Sequence, residues 1–333
     1  MKIQRICIVG AGSIGGWMGA RLARCTGVQL SVFARGATLD VLQRDGLQLQ
    51  TKDERIHAPV MASNDAAQLG PQDLVILAVK APNVREVAAQ IAPLLGPQTM
   101  LLSAMNGVPW WFFNKFGGNL SGTRLQSIDA DGQIAAHLKA EHIIGSVVHA
   151  SCSVTSPGVI QHHFGNGLII GEPSGEQTPR VQALLELLRE AAFDASLAPQ
   201  IQKDIWYKLW GNMTVNPISA ITGATTDKIL GDELLRGFIS AVMLEAKAIG
   251  ERIGIPIAQQ PEDRHQVTLK LGAFKTSMLQ DAESGRAVEL DALVSSVREI
   301  GQLLDLPTPC TDALLGLARV HARQHNLYPK QDA

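Results

Sequence analysis

The chain has 333 residues, with 29 Lys and Arg against 31 Asp and Glu and a formal charge of −2; at roughly 100–200 residues per domain this length argues for two domains. So neutral a chain has no broad cationic field for a polyphosphate backbone, which argues against nucleic acid as its main partner. Hydrophobic residues at 46% and charged residues at 18% supply real cores and too little charge for disorder, and the longest clean apolar run, residues 74–79, is far short of the roughly 20 residues that span a bilayer.

In chain order, residues 5–9 form a continuous apolar strand, followed by glycines and a helical segment to about Cys25. Residues 29–34 read as a second strand, and residues 47–50 and 56–60 as a small hairpin insertion. The wholly apolar run 74–79 has the character of a parallel strand covered on both faces. Residues 84–95 read as a helix and 99–104 as a further strand. Strands alternating with helices of this length imply βαβ units and a parallel sheet. Residues 143–155 and 159–170 are extended around the turn Ser156-Pro157-Gly158, which predicts antiparallel strands added to that sheet; a helix over 179–192 and a last strand at 193–197 follow. Beyond Pro199 β signals nearly vanish, and residues 201–216, 232–253, 263–279, 289–304 and 311–325 carry helical periodicity. The expected fold is an α/β Rossmann-type N-terminal domain over residues 1–199 and an all-α C-terminal domain over residues 200–333, with a frayed tail at 329–333.

The four cysteines, Cys7, Cys25, Cys152 and Cys310, are scattered, with no CxxC and no metal-ligand spacing. That pattern predicts a reduced, cytoplasmic protein without structural disulfides. No small-residue cleavage site follows a longer apolar core near the start, so no secretory signal is read. His162 and His163 are adjacent, which in a strand points them to opposite faces, and no metal site is expected.

Gly10-Ala11-Gly12-Ser13-Ile14-Gly15 is a GxGxxG run that follows an apolar strand and opens a helix, the context that gives the motif meaning. Gly10 permits the tight turn, Gly12 lets a pyrophosphate approach the backbone, and Gly15 allows close helix–strand packing. The helix start, at Ser13 and Ile14, offers amides and a partial positive charge to phosphates. An NAD site wants an acid about 20 residues past the glycines; here the second strand ends in Phe33-Ala34-Arg35-Gly36, with no acid until Asp40. Arg35 is suited to pair bidentately with a 2′-phosphate. The cofactor expected is therefore NADP(H), which makes residues 1–199 its binding domain. Lys80 and Asn106-Gly107 follow two further strands and point to the same ligand side, since ligands bind beyond the carboxyl ends of parallel strands. The run Trp110-Trp111-Phe112-Phe113 is read as a pocket wall, a domain-contact surface or core, with interface or pocket wall preferred.

In the helical half, Lys208, Asn212 and Asn216 are spaced i, i+4, i+8, which stacks one cation and two amides along one helix face among apolar neighbours. A lysine desolvated by such neighbours has a lowered pKa, which suits proton donation near neutral pH. Pro217 is expected to kink or end that helix. Ser277 and Gln280 are polar residues at one helical spacing, and Glu289 reads as the first-turn acid of a helix.

Taken together, these residues resemble the ketopantoate reductases, also called 2-dehydropantoate 2-reductases, over nearly the full chain. The marks are the GxGxxG, Arg35, Lys80, Asn106-Gly107 and the run from Gly167 to Glu172. They continue with Trp206-x-Lys208-Leu209-x-x-Asn212-x-x-x-Asn216-Pro217, Ser277-Met278-x-Gln280-Asp281, and Gly285-Arg286-x-x-Glu289-x-Asp291. The resemblance implies NADPH-dependent reduction of a small 2-oxo acid, 2-dehydropantoate, on the route to pantothenate and coenzyme A. By match, Lys208 is the proton donor and Glu289 orients substrate and lysine. Asn212 and Asn216 position the substrate hydroxyl and carbonyl, and Ser277 binds the carboxylate. Lys80 and Asn106 lie near the nicotinamide ribose and the reacting carbon. Two departures concern the pocket: the aromatic bulk at residues 110–113, and Thr226 where the family has a further asparagine. Two other readings compete: an NADP-dependent dehydrogenase of another 2-oxo or hydroxy acid, and a non-catalytic NADPH sensor. The intact Lys208, Asn212, Asn216, Ser277 and Glu289 set argues against the sensor, since sensing needs only the first domain. A homodimer formed through the helical domain is a further expectation.

Overall fold

The apolar runs of the N-terminal half become the strands of one sheet in the computed structural model, which describes residues 2–330; the expected tail thus falls partly outside the described residues. The chain divides into two units, residues up to Met105 with Gly132–Asp204, and Asn106–Asp131 with residues from Ile205 onward.

In the first unit the strands are β1 (Arg5–Val9), β2 (Gln29–Phe33), β3 (Leu47–Gln50), β4 (Arg55–Ala58), β5 (Met61–Ser63), β6 (Gln72–Leu77), β7 (Leu95–Ser103), β8 (Ile143–Ser156), β9 (Val159–Gly171) and β10 (Asp194–Leu197). They lie in the order β4-β3-β9-β8-β7-β6-β1-β2-β5, with β10 paired to β9. Every pairing from β5 to β8 is parallel, and β8 and β9 form the antiparallel addition. This is the Rossmann-type α/β arrangement. Leu74, Val75, Ile76 and Leu77 are fully buried, as a strand covered on both faces requires. The segment read as a hairpin insertion is instead one end of the sheet, because β3 pairs with β9 as well as with β4. β5, a three-residue strand parallel to β2, was too short to register as periodicity.

In the second unit the long helix Ile201–Thr222 is continued from the first, and its two indoles fix it to the helix Glu233–Arg252. Trp206 Nε1 donates to the Ala246 carbonyl at 3.2 Å and Trp210 Nε1 to that of Met243 at 2.7 Å. A Cβ on Gly250 would stand 2.5 Å from Trp206 Nε1, so a glycine is what lets the two come this close. The Asp232 carboxylate accepts from the Leu234 and Leu235 amides and caps the partner helix.

Three helical expectations need correction. Pro217 does not end its helix, which runs on to Thr222; its ring is buried beside Met278, Val288 and Leu290, and that packing offsets the missing backbone bond. The helix expected over 263–279 is two, Pro261–Leu269 and Ser277–Glu283, interrupted where Gly272 takes φ +64°. The segment expected as a helix from Glu289 opens with a π-helical turn, Asp291–Ser295, before Ser296–Leu303. The aromatic run is buried. Trp110, Trp111, Phe112 and Phe113 are all buried, with Phe112 packed edge-on to Phe113 at 5.2 Å and tilted on Trp206 at 6.0 Å. Residues 106–131, expected in the first domain, group with the helical unit, where Phe112 meets Trp206. All four cysteines are free, and among the described residues no helix is long and apolar enough to cross a membrane.

Candidate active site

The glycine turn of the first unit is built as a cradle with one open side. A Cβ on Gly15 would stand 2.1 Å from the Gly10 carbonyl oxygen and 2.9 Å from Ile8 Cγ2, so this position closes the helix onto the strand. Gly10 has φ +94°, and a Cβ there would meet Val79 Cγ1 at 2.7 Å. Gly12 differs: nothing lies within 4 Å of where its Cβ would be. It precedes the helix Ser13–Leu22 without a side-chain cap, so the opening amides of Ser13 and Ile14 face a gap that suits an anion. Tight at Gly10 and Gly15 and open at Gly12, the turn fits a dinucleotide pyrophosphate.

Arg35 stands at the end of β2, immediately before the helix Gly36–Asp45, and pairs with Glu86 of the helix Val84–Gln90. Both partners are exposed, with 69% and 49% of their side-chain surfaces accessible, and an exposed pair contributes only about 0–1 kcal/mol. A dianionic phosphate can therefore displace Glu86 from the guanidinium. Sequence spacing gave no sign of Glu86. Lys80 follows β6 in extended conformation, half-buried, and leads into the short turn Ala81–Asn83.

In the second unit, the long helix carries Lys208 and Asn212 half-buried and Asn216 buried, on one continuous row. Burial pushes the Lys208 ammonium down from its usual 10.5 to about 8. The Glu289 carboxylate opposes that shift, and the Arg264 guanidinium adds to it. Glu289 is buried, 5% exposed, at the end of the stretch that links Ser277–Glu283 to the π-helical turn. The motif acids around it are scaffold. Asp281 accepts from Arg286 Nε at 3.0 Å, and Asp291 accepts from Tyr328 Oη at 2.6 Å and Ser295 Oγ at 2.8 Å.

Asn106 is placed by the same π-helical turn. Its neighbour Gly107 has φ +81°, and a Cβ there would stand 2.4 Å from the Ala292 carbonyl oxygen; the Val108 amide donates to that oxygen at 2.8 Å. Ser277 is exposed at the first position of Ser277–Glu283, behind the buried cap Thr276, whose hydroxyl accepts from the Leu279 amide. Thr226 takes up a structural task at its departure from the family pattern. Its hydroxyl donates to the Gly272 carbonyl at 2.8 Å and its amide to that of Phe274 at 3.0 Å, which holds the loop that leads to Ser277. Of the residues expected in the site, Lys208, Asn212 and Asn216 share one helix, Glu289 acts on the charge of Lys208, and Asn106 adjoins the turn after Glu289. The residue missed is Arg264, a lone arginine on a polar helix with no partner at a telling spacing.

Comparison with known proteins follows these marks. Two family models, described as "Ketopantoate reductase PanE/ApbA" and "Ketopantoate reductase PanE/ApbA C terminal", match residues 6–175 and 200–322. A 2-dehydropantoate 2-reductase of Mesorhizobium japonicum is 45% identical over 325 residues, which cover 98% of this chain and 100% of the relative. A crystal structure from Ralstonia solanacearum is 54% identical with a TM-score of 0.95, covering 98% of this chain and 100% of its own. A dimeric ketopantoate reductase from Staphylococcus aureus, 19% identical over 96% of this chain and 99% of its own, shares the fold with a TM-score of 0.75.

Proposed function

The chain belongs to the ketopantoate reductase family, and we propose that it reduces the 2-oxo acid 2-dehydropantoate to pantoate with NADPH, in the synthesis of pantothenate and coenzyme A. One observation carries the reading: the desolvated Lys208, on whose charge the buried Glu289 acts, shares a helix row with Asn212 and Asn216. The amides of Ser13 and Ile14 beside the open Gly12 receive the pyrophosphate, Arg35 the 2′-phosphate, and Lys80 and Asn106 the nicotinamide ribose side. When bound, the cofactor supplies a hydride to the keto carbon. As negative charge builds on the keto oxygen, the Lys208 ammonium stabilises it and then gives up its proton there. Glu289 keeps that lysine charged in spite of burial. Asn212 and Asn216 hold the substrate hydroxyl and carbonyl, and Ser277 donates to the carboxylate.

The test is loss of NADPH absorbance with 2-dehydropantoate beside a panel of other 2-oxo acids. Turnover that favours 2-dehydropantoate is the expected result. Faster turnover of another acid moves the substrate assignment, and tight NADPH binding with no turnover of any of them removes the enzymatic reading. A cytoplasmic location and pairing into a homodimer complete the proposal; the latter has support in the dimeric Staphylococcus aureus relative and is checked by the mass in solution.

A further inference from the structure

Arg264 lies on the helix Pro261–Leu269, which no motif marks. Its guanidinium is laid flat against the Lys208 helix: a Cβ on Gly211 would stand 2.7 Å from its Nε and 3.0 Å from a terminal nitrogen, and its Cζ sits 5.3 Å from the centre of the Tyr207 ring. With 3.6 residues per turn, the edge formed by Tyr207 and Gly211 adjoins the edge formed by Lys208 and Asn212. The guanidinium therefore flanks the polar row.

The acids nearest it in the chain do not neutralise it. The two acids of its own helix are engaged elsewhere, Glu262 with Arg236 and Asp263 with the Gln260 amide of the capping box. Among the described residues Arg264 has no ion pair, and its Nε is buried without a hydrogen-bond partner. The charges that act on Lys208 are one carboxylate, Glu289, and one further cation, Arg264, whose proximity is itself one of the forces that drive the Lys208 proton off. An arrangement with two cations and one carboxylate is completed by a monoanion.

We propose that Arg264 is the carboxylate anchor of this site: the guanidinium resting on Gly211 and Tyr207 takes the carboxylate of the 2-oxo acid, which brings the adjoining keto oxygen to Lys208. The proposal rests on the reductase reading above and adds to Ser277 a charged, forked donor of the kind that matches a carboxylate with two parallel bonds. It makes the chain selective for free acids over uncharged ketones of the same shape.

The experiment compares a 2-oxo acid with its methyl ester in wild type, Arg264→Gln and Arg264→Lys, with NADPH affinity measured alongside. Wild type is expected to favour the acid in kcat/KM, and Arg264→Gln to lower that acid-to-ester ratio about 10- to 100-fold with NADPH affinity unchanged. Arg264→Lys, which keeps the charge and loses the fork, is expected to fall between and carries the comparison if the glutamine variant does not fold. A purely structural stacking role on Tyr207 would slow acid and ester alike and leave the ratio where it was, which overturns the proposal. A wild type inactive on every 2-oxo acid overturns the reductase reading itself, and the anchor with it.

Discussion

Glu289→Gln isolates the electrostatic balance on Lys208. Three influences set that balance: burial and Arg264 push the ammonium towards deprotonation, and Glu289 pulls it back, with the outcome at about 8. The amide removes the only restoring charge among them, so the lysine must titrate lower. Reduction requires the protonated lysine, so kcat falls as pH rises through the lysine pKa, and in the variant this falling limb moves to lower pH. At pH 8 wild type is about half protonated, and a decline of one unit, about 1.4 kcal/mol, leaves about one lysine in eleven charged. The variant therefore loses about fivefold at pH 8 for the first unit, and about tenfold for each further one, beyond whatever it loses at pH 6. Oxidation of the 2-hydroxy acid with NADP requires the neutral lysine, so its rising limb moves the same way. Initial rates at saturating substrates from pH 5 to pH 10, in both directions, with Glu289→Asp as the charge-conserving control, give the midpoints. A midpoint in Glu289→Gln equal to or above that of wild type refutes the assignment of Glu289 as the group that keeps Lys208 charged.

Lys208→Ala should lower kcat by about 10²–10⁴-fold, the range of a lost general acid, while the NADPH dissociation constant, read by fluorescence, stays within twofold; normal turnover removes Lys208 from the chemistry. Gly12→Ala and Gly15→Ala separate ligand contact from packing. The first adds a methyl to open space and should weaken NADPH binding at an unchanged Tm, whereas the second forces a methyl to 2.1 Å from the Gly10 carbonyl and should lower Tm and binding together. Equal Tm losses in the two would contradict the open-sided cradle. Arg35→Ala should raise the KM for NADPH and narrow the preference over NADH with little change in stability, because its pair with Glu86 is exposed. Glu86→Gln should lower the KM for NADPH by freeing the guanidinium; an unchanged cofactor ratio in both variants takes Arg35 out of the site.

The parts of the site legible in the sequence are those whose reasons are local. Each glycine of the turn answers a constraint within a few residues of itself, and Gly15 against Gly10 is the clearest case. The Lys208, Asn212 and Asn216 row follows from helical repeat alone. Pro217 shows the limit of the same reasoning: its local effect is to break a helix, and burial against Met278, Val288 and Leu290 overrides it. Four consecutive aromatics have no period that reveals a face, so their place in the helical unit depends on Trp206, nearly a hundred residues on. The π-helical turn was equally invisible. One wider turn leaves the apolar pattern after Glu289 almost intact, yet it presents the Ala292 carbonyl on which Val108 and Gly107 rest.

Arg264 lies outside local reasoning altogether, and its position bears on why the lysine sits where it does. A lysine whose only task is to stay charged gains from a carboxylate and loses from a second cation, and burial already disfavours its charged form. Placing a guanidinium beside Lys208 adds to that loss, and the carboxylate of Glu289 works against it. The arrangement becomes favourable when an anion arrives: its carboxylate neutralises Arg264, and the charge developing on its keto oxygen is met by Lys208. With Arg264 as the anchor, the substrate's own carboxylate meets the guanidinium, which favours a small 2-oxo acid over a neutral ketone.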